Sequence, residues 1–231
     1  MPRDTLTADR IVRAAIELLD NEGLDGLNMR SLAQRLGTAA TAVYWHIKNK
    51  DDLVRLASDA VWAEVELPDL DTTDWRAAAA AHATGVYAML TRHPWLVQAF
   101  GSHLLYGSAQ ARHNDFSLAV YEKAGFAAAD ADRAAAAALA FVLGSTLGPA
   151  AQVSLNRRFN KKGEGAEELM ADAMTRATET AMQFPHLRKR LDTAAATEYA
   201  GAPDNSFEFG LRSLLDGFEA RLAADRADAG R

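Results

Sequence analysis

Cysteine is absent from the 231 residues, which excludes disulfides, cysteine-ligated zinc and thiol nucleophiles. Proline is scarce, at six residues, while alanine is abundant, so long helices are the natural reading. An apolar segment of the signal-peptide type is also missing. Met1, Pro2, Arg3 and Asp4 run straight into an amphipathic pattern. No later stretch reads as both long and apolar enough to span a bilayer, because the Ala-rich run 134–147 is short and weakly hydrophobic. The expectation is a cytoplasmic protein that meets no membrane. Enzyme signatures are lacking too. His46, His82, His93, His103, His113 and His186 are scattered, and there is no HExxH, GxSxG or P-loop. Lys161, Lys162, Gly163, Glu164 and Gly165 form a polar loop without the phosphate-binding spacing. An enzyme is the first rival reading, and nothing in these patterns supports it.

What is present is globular: 49% hydrophobic and 24% charged residues, enough for a sizeable core or a small domain attached to a larger one. The net charge of −6 argues against a protein that coats nucleic acid without regard to sequence. It is unevenly spread. Through Arg55 there are eight basic and eight acidic residues, so the remainder carries the whole deficit. That polarity leaves room for a small DNA-reading head at the N-terminus.

The head is legible in local chemistry. Thr7 is a helix cap, although Arg10 occupies the position a capping box would give to Glu. Ile11, Ala14, Ala15, Leu18 and Leu19 form one apolar face, and Gly23 stops the helix. Leu24 and Leu27 plug the core from the loop. Asn28 caps a short second helix with Leu32, Ala33 and Leu36 inward, ending at Gly37. A third helix, capped by Thr38 or Ala39, runs to about Ile47 with Val43 and Ile47 buried. Helix, tight turn, helix is the arrangement that holds a recognition helix against a supporting one. Tyr44, Trp45 and His46 fall on its other sides, beside Lys48 and Lys50. Two readings stand: these aromatics meet phosphates and sugars, or they close a small core, with a mixed role between the two. Asn49 caps a fourth helix with Asp51 and Asp52 in its first turn, where the helix dipole favours acids. It links head to body and is the natural transmission element.

Gly23, Leu24, Gly26, Leu27, Met29, Arg30, Leu32, Ala33, Leu36 and Gly37, followed by Val43, Tyr44, Trp45, His46, Ile47, Lys48, Asn49, Lys50 and Leu53, resemble the TetR family of repressors. The Tyr44–Trp45–His46 form is similar to its tetracycline-repressor branch. Phe207, Phe209, Gly210 and Leu211 with Leu214, Leu215, Gly217 and Phe218 resemble that branch's last dimerisation helix. The resemblance implies an all-α protein: a three-helix DNA-binding domain with a helix-turn-helix, then a larger helical ligand-binding and dimerisation bundle. It implies a homodimer on a double-stranded palindromic operator, with repression relieved by a small molecule. Tyr44, Trp45, His46 and Lys50 match positions that touch operator backbone or thymine methyls, and Arg30 matches a base-contacting arginine. Ala40, Thr41 and Ala42 stand where tetracycline repressors carry Gln, Pro and Thr. Small side chains there read methyls but lack an amide's bidentate reach, so the operator differs, and Arg30 and Thr41 are the expected base contacts.

The boundaries expected are 1–50 for the head, 51–66 for the connecting helix and 67–231 for the body. A helix from Thr73 or Asp74 carries Trp75, Ala79, His82, Val86 and Leu90, and Pro94 ends it or opens the next. Asn114 to Lys123 is another helix, stopped by Gly125. The longest runs from Asp130 to about Leu155, interrupted by Gly144, Gly148 and Pro149. A further helix covers Glu167 to Met182. A last one is capped by Ser206 and fades after Leu222. Small residues on the long and last helices suit a four-helix interface between two subunits; a monomeric bundle would use them internally. A pocket between helices is the expected ligand site, lined from among His82, Val86, Trp95, Phe100, His103, Leu104, Phe116, Phe141, Ser145 and Gln152. Each of these also suits an ordinary core. The family's drug-binding branch holds a magnesium–drug chelate with a His and polar neighbours. Neither His82 nor His103 aligns with that pattern, so no metal or cofactor is expected and the effector is largely apolar or aromatic. The second rival is a regulator that answers to a protein partner or has no ligand, which a filled bundle core would favour.

Overall fold

Three side-chain caps set the register of the head in the computed structural model, which describes residues 6–162, 166–191 and 206–229. Thr7 Oγ1 accepts from Arg10 N at 3.2 Å, Asn28 Oδ1 from Ser31 N at 2.9 Å and Asn49 Oδ1 from Asp52 N at 2.7 Å. Each satisfies one of the orphan N–H groups of a first turn, worth ~1 kcal/mol. They open α1 (Ala8–Gly26), α2 (Met29–Arg35) and α4 (Lys50–Trp62). Between the last two lies α3 (Ala40–Tyr44), which has no side-chain cap. Ile11, Ala15, Leu19, Leu32, Val43, Ile47, Leu53 and Ala57 are all buried, so α1, α2, α3 and α4 share one core.

Gly23 breaks the first helix, as its position suggests: it adopts φ 74°, a positive-φ conformation suited to glycine, and a short second helical run follows the kink to Gly26. One boundary in the head differs from the sequence reading. The third helix stops at Tyr44 rather than Ile47, because His46 N and Ile47 N both turn back to the Val43 carbonyl at 3.0 Å.

The body begins with α5 (Trp75–Arg92), whose Asp74 cap accepts from Arg76 N and Ala77 N. Then come α6 (Trp95–Phe100), α7 (Ser108–Ala124) and α8 (Ala128–Lys162). The seventh helix starts six residues before the Asn114 expected. Its own N-cap is Gly107, which has no side chain to cap with, and the missing group arrives from Asp59 on α4. Gly125 ends it at φ 105°, as its position suggests. The long helix runs through Gly144, Gly148 and Pro149 without interruption, since alanine on both sides favours helix enough to carry it. This unbroken length also corrects the membrane reading. Residues 128–159 are long and apolar enough to cross a bilayer by length and composition alone.

Residues 1–150 and 211–231 form one compact unit and 151–210 a second. In the first, Phe218 of α11 (Ser206–Ala229) sits edge-on to Tyr121 and Phe126. Arg76 pairs with Asp216 and Glu219, and Arg226 donates to the Ala124 carbonyl at 3.1 Å. These bonds carry the last helix to Ala229, beyond the Leu222 expected. On α8, Leu147 is exposed and an added Cβ at Gly144 or Gly148 meets nothing within 4 Å, so this face has no covering among the described residues. The second unit contains α9 (Ala166–Ala181) and α10 (Pro185–Leu191), the latter not anticipated from sequence; Met174, Phe184 and Leu187 in this unit are exposed. Of the expected polar loop at 161–165, Lys161 and Lys162 close α8 and 163–165 lie outside the described residues.

Candidate functional site

In the head, most of the side chains expected to meet DNA face away from the core. Arg30 is exposed in the first turn of α2 and Thr41 in α3, with Ala40 half-buried between core and surface. Tyr44 is 52% exposed and Trp45 88%, with His46 and Lys48 exposed beside them. Two adjacent large aromatic side chains left open to water are the kind of exposed apolar patch that marks an interaction surface. Lys50 is half-buried and its ammonium donates to the Leu24 carbonyl at 2.7 Å, pinning the segment that follows Gly23.

In the body, a cavity of about 220 Å³ opens among α4, α5, α7 and α8. Its wall includes Trp62, Ala79, His82, Ala83, Val86, His113, Asn114, Ser117, Leu118, Tyr121, Ala138, Leu139 and Val142. It is predominantly apolar and, among the described residues, bears no Lys, Arg, Asp or Glu. Alanines of α5 and α8 on its wall have side chains too short to fill the space. Its polar side chains are those of Asn114, Ser117, Tyr121 and a histidine pair: His82 Nε2 and His113 Nδ1 are 3.1 Å apart, with their rings stacked. Burial, reinforced by the neighbouring His113, pushes His82 down to about 4. Burial also lowers His113, against the opposing hydrogen bond to Trp62. Both rings are therefore neutral at pH 7. Tyr121 is pushed up to about 12 by burial and keeps its proton.

The sequence candidates for the ligand site scatter over the structure. His82 and Val86 lie on the cavity wall, and Phe116 packs edge-on against His82 with ring centres 5.3 Å apart. Trp95 is fully buried elsewhere, its indole N–H donating to Asp20 Oδ1 at 2.8 Å. Phe100 is half-buried at the end of α6. His103 and Leu104 border a separate crevice with Lys48, Asp51, Arg55 and Tyr106; His103 Nε2 is 3.6 Å from Asp51 and Leu104 is exposed. Phe141 and Ser145 are bonded to each other along α8, from Ser145 Oγ to the Phe141 carbonyl at 2.8 Å. Gln152 is exposed and donates to Asn156 at 3.1 Å. Sequence reading missed Trp62 and His113. A fully apolar setting for His113 could be found only by knowing that its helix packs on α4 and α5.

Three linkages join the cavity region to the head. His113 Nε2–H donates to the Trp62 carbonyl at 2.9 Å, at the C-terminal end of α4. One turn earlier on the same helix, Asp59 Oδ1 accepts from Ala109 N at 2.8 Å and Gln110 N at 3.2 Å, and Oδ2 from Ser108 Oγ at 3.3 Å. An α4 carboxylate thus caps α7, and Gly107 is required there, because a Cβ would come within 2.1 Å of Asp59. The third linkage is a buried imidazole: His93 bonds Asp20 of α1 at 2.8 Å and Glu64, beyond the end of α4, at 3.3 Å. Burial alone would lower the pKa of His93, but the hydrogen bonds and charges of Asp20 and Glu64 outweigh it and raise it. A raised value in the folded chain adds stability that is fully present below the unfolded pKa near 6.5 and lost as pH climbs through the folded value. Thermal unfolding followed from pH 6 to 9 should show this loss in the native chain and not in His93→Gln; parallel curves would remove the charged imidazole from the linkage.

The head and the body each match a family. Residues 11–57 match the model for bacterial regulatory proteins of the TetR family, and 67–222 the tetracycline-repressor-like C-terminal domain. The chain belongs to the TetR family of transcriptional regulators. The HTH-type transcriptional repressor DrrR1 of Streptomyces coeruleorubidus is 32% identical, over 99% of this chain and 83% of its own length. An HTH-type transcriptional regulator of Saccharopolyspora erythraea is 41% identical over 61% of this chain and 59% of its own length. Among solved structures, ActR of Streptomyces coelicolor in complex with actinorhodin superposes with a TM-score of 0.72 at 26% identity, covering 94% of this chain and 97% of ActR.

Proposed function

We propose that this TetR-family regulator is a cytoplasmic repressor that binds a palindromic operator as a homodimer and leaves it when a small molecule enters the cavity. Head, connecting helix and body then correspond to 1–50, 51–66 and 67–231. The observation that carries the reading is the cavity's attachment to α4 through His113 and Asp59. A ligand that shifts α7 shifts α4, and α4 begins at the end of the reading surface. The uncharged wall favours an apolar or aromatic effector. The complex of ActR with actinorhodin and the repressor designation of DrrR1 support the same reading. Leu147, Gly144 and Gly148 on α8 form the face on which a second copy would pack. Arg30 and Thr41 read bases in this scheme. Ala40, Tyr44, Trp45, His46 and Lys50 meet sugar, phosphate or methyl groups.

Selection of random duplex DNA by the purified chain tests the proposal. Enrichment of a two-fold symmetric site is expected, and that duplex then serves to screen for molecules that release it. A folded protein freed of co-purified small molecules that enriches no sequence would count against it. Lys50 has a sharper test because it already pins Leu24. Lys50→Ala should lower the slope of log affinity against log salt by about one for each phosphate that the ammonium neutralises. An unchanged slope with reduced thermal stability would confine Lys50 to holding that segment.

A further inference from the structure

The histidine pair in the cavity has its protons fixed by geometry. The Trp62 carbonyl can only accept, so His113 Nε2 carries a hydrogen and donates to it across 2.9 Å. In a neutral ring the other nitrogen, Nδ1, is then bare. His82 Nε2 stands 3.1 Å from that bare nitrogen and must donate to it. His82 Nδ1 is in turn left as a lone-pair acceptor, and among the described residues nothing donates to it. The ring sits on the wall of a cavity lined by no charged side chain among the described residues, so this lone pair opens on the space an effector would fill.

We infer that the effector is an uncharged aromatic molecule bearing a phenol-type hydroxyl, which donates its hydrogen to His82 Nδ1. This deepens, and rests on, the reading of the cavity as the effector site. No proton is transferred: the hydroxyl keeps its hydrogen, and the bonds run donor to acceptor in one direction, from hydroxyl to His82, from His82 to His113 and from His113 to the Trp62 carbonyl. A carboxylate in the same place would set an anion against a lone pair, with no Lys or Arg on the wall to offset it. An ether or ketone oxygen at His82 Nδ1 would leave two acceptors facing each other; an acceptor on the effector has its partner instead in the Trp62 indole N–H, a buried donor with no partner among the described residues. Aromatic faces are met by Trp62 and Tyr121 on the wall. His82 thus selects for the donor, and the relay ends on the carbonyl of Trp62 at the C-terminal end of α4, so the hydroxyl is felt where the cavity meets the connecting helix.

Titration of the full chain by calorimetry with 2-naphthol, 2-methoxynaphthalene and 2-naphthoate tests this. The naphthol should bind roughly tenfold tighter than its methyl ether, the worth of one buried hydrogen bond, and the naphthoate more weakly than either. In His82→Phe the naphthol and the ether should bind alike. In the native chain, the nitrogen-15 resonance of the unprotonated His82 nitrogen should move with naphthol and stay with the ether, a readout that needs no variant. Equal binding of naphthol and ether by the native chain, or a naphthol preference that survives in His82→Phe, would overturn the inference while leaving the cavity as the effector site. Failure of all three probes to bind would overturn the effector-site reading along with it.

Discussion

Asp59→Ala should bind both operator and effector yet fail to link them. Asp59 sits on the connecting helix and caps the first turn of α7, whose later turns carry His113, Asn114, Ser117 and Tyr121 along the cavity. It touches neither the cavity nor the reading surface, so both affinities should stay within about threefold of the native values, the range usual for a substitution away from a binding site. The cap itself is worth ~1 kcal/mol, a modest loss of stability. What should collapse is the ratio of operator affinities without and with effector, from the roughly 5–150-fold that a coupling of 1–3 kcal/mol gives to near one. Asp59→Asn is the control, because asparagine caps a helix as well as aspartate does and should keep most of the ratio. If Asp59→Ala retains full release, the coupling runs instead through the His113–Trp62 bond or through His93, and Asp59 is a cap and nothing more.

The head was readable from its sequence because its determinants are local. Thr7, Asn28 and Asn49 each bond a backbone N–H three residues on, a reach a sequence window contains. The apolar period of Ile11, Ala15 and Leu18 lies in one helix. The body was readable only as a series of helices. The start of α7 depends on Asp59, some fifty positions earlier in the chain, so local propensity placed it at Asn114. The cavity gathers Trp62, His82, His113 and Val142 from four helices, with no spacing that marks them as neighbours. Trp95 looked equally fit for a pocket, since a buried tryptophan and a pocket-lining one share the same sequence surroundings. What distinguishes it is Asp20, brought from the head to its indole nitrogen. Glycine and proline misled in α8 because their effect is a local cost, and the long alanine flanks offset it.

Trp45→Ala should cost ten- to a hundredfold in operator affinity and almost nothing in stability. At 88% exposure the indole contributes little to the core of the head, whereas Val43 and Ile47 on the opposite side are buried. Removing an exposed side chain changes stability by about 0.5 kcal/mol or less, while tryptophans at the centre of an interface commonly cost ~2 kcal/mol or more when truncated. Tyr44→Ala, at a residue 52% exposed, should divide its effect, losing some stability along with affinity. The pair therefore separates the two roles open to these aromatics. Fluorescence anisotropy on an operator duplex and thermal unfolding of the same samples give both quantities. A Trp45→Ala protein that melts several degrees lower but binds DNA with native affinity per folded molecule would mean that the indole supports the head's fold, in which case the exposed aromatic surface is not where DNA is met. Loss of affinity at unchanged midpoint, together with an unchanged ranking of operator variants, would place Trp45 against sugar and phosphate rather than base edges and leave sequence reading to Arg30 and Thr41.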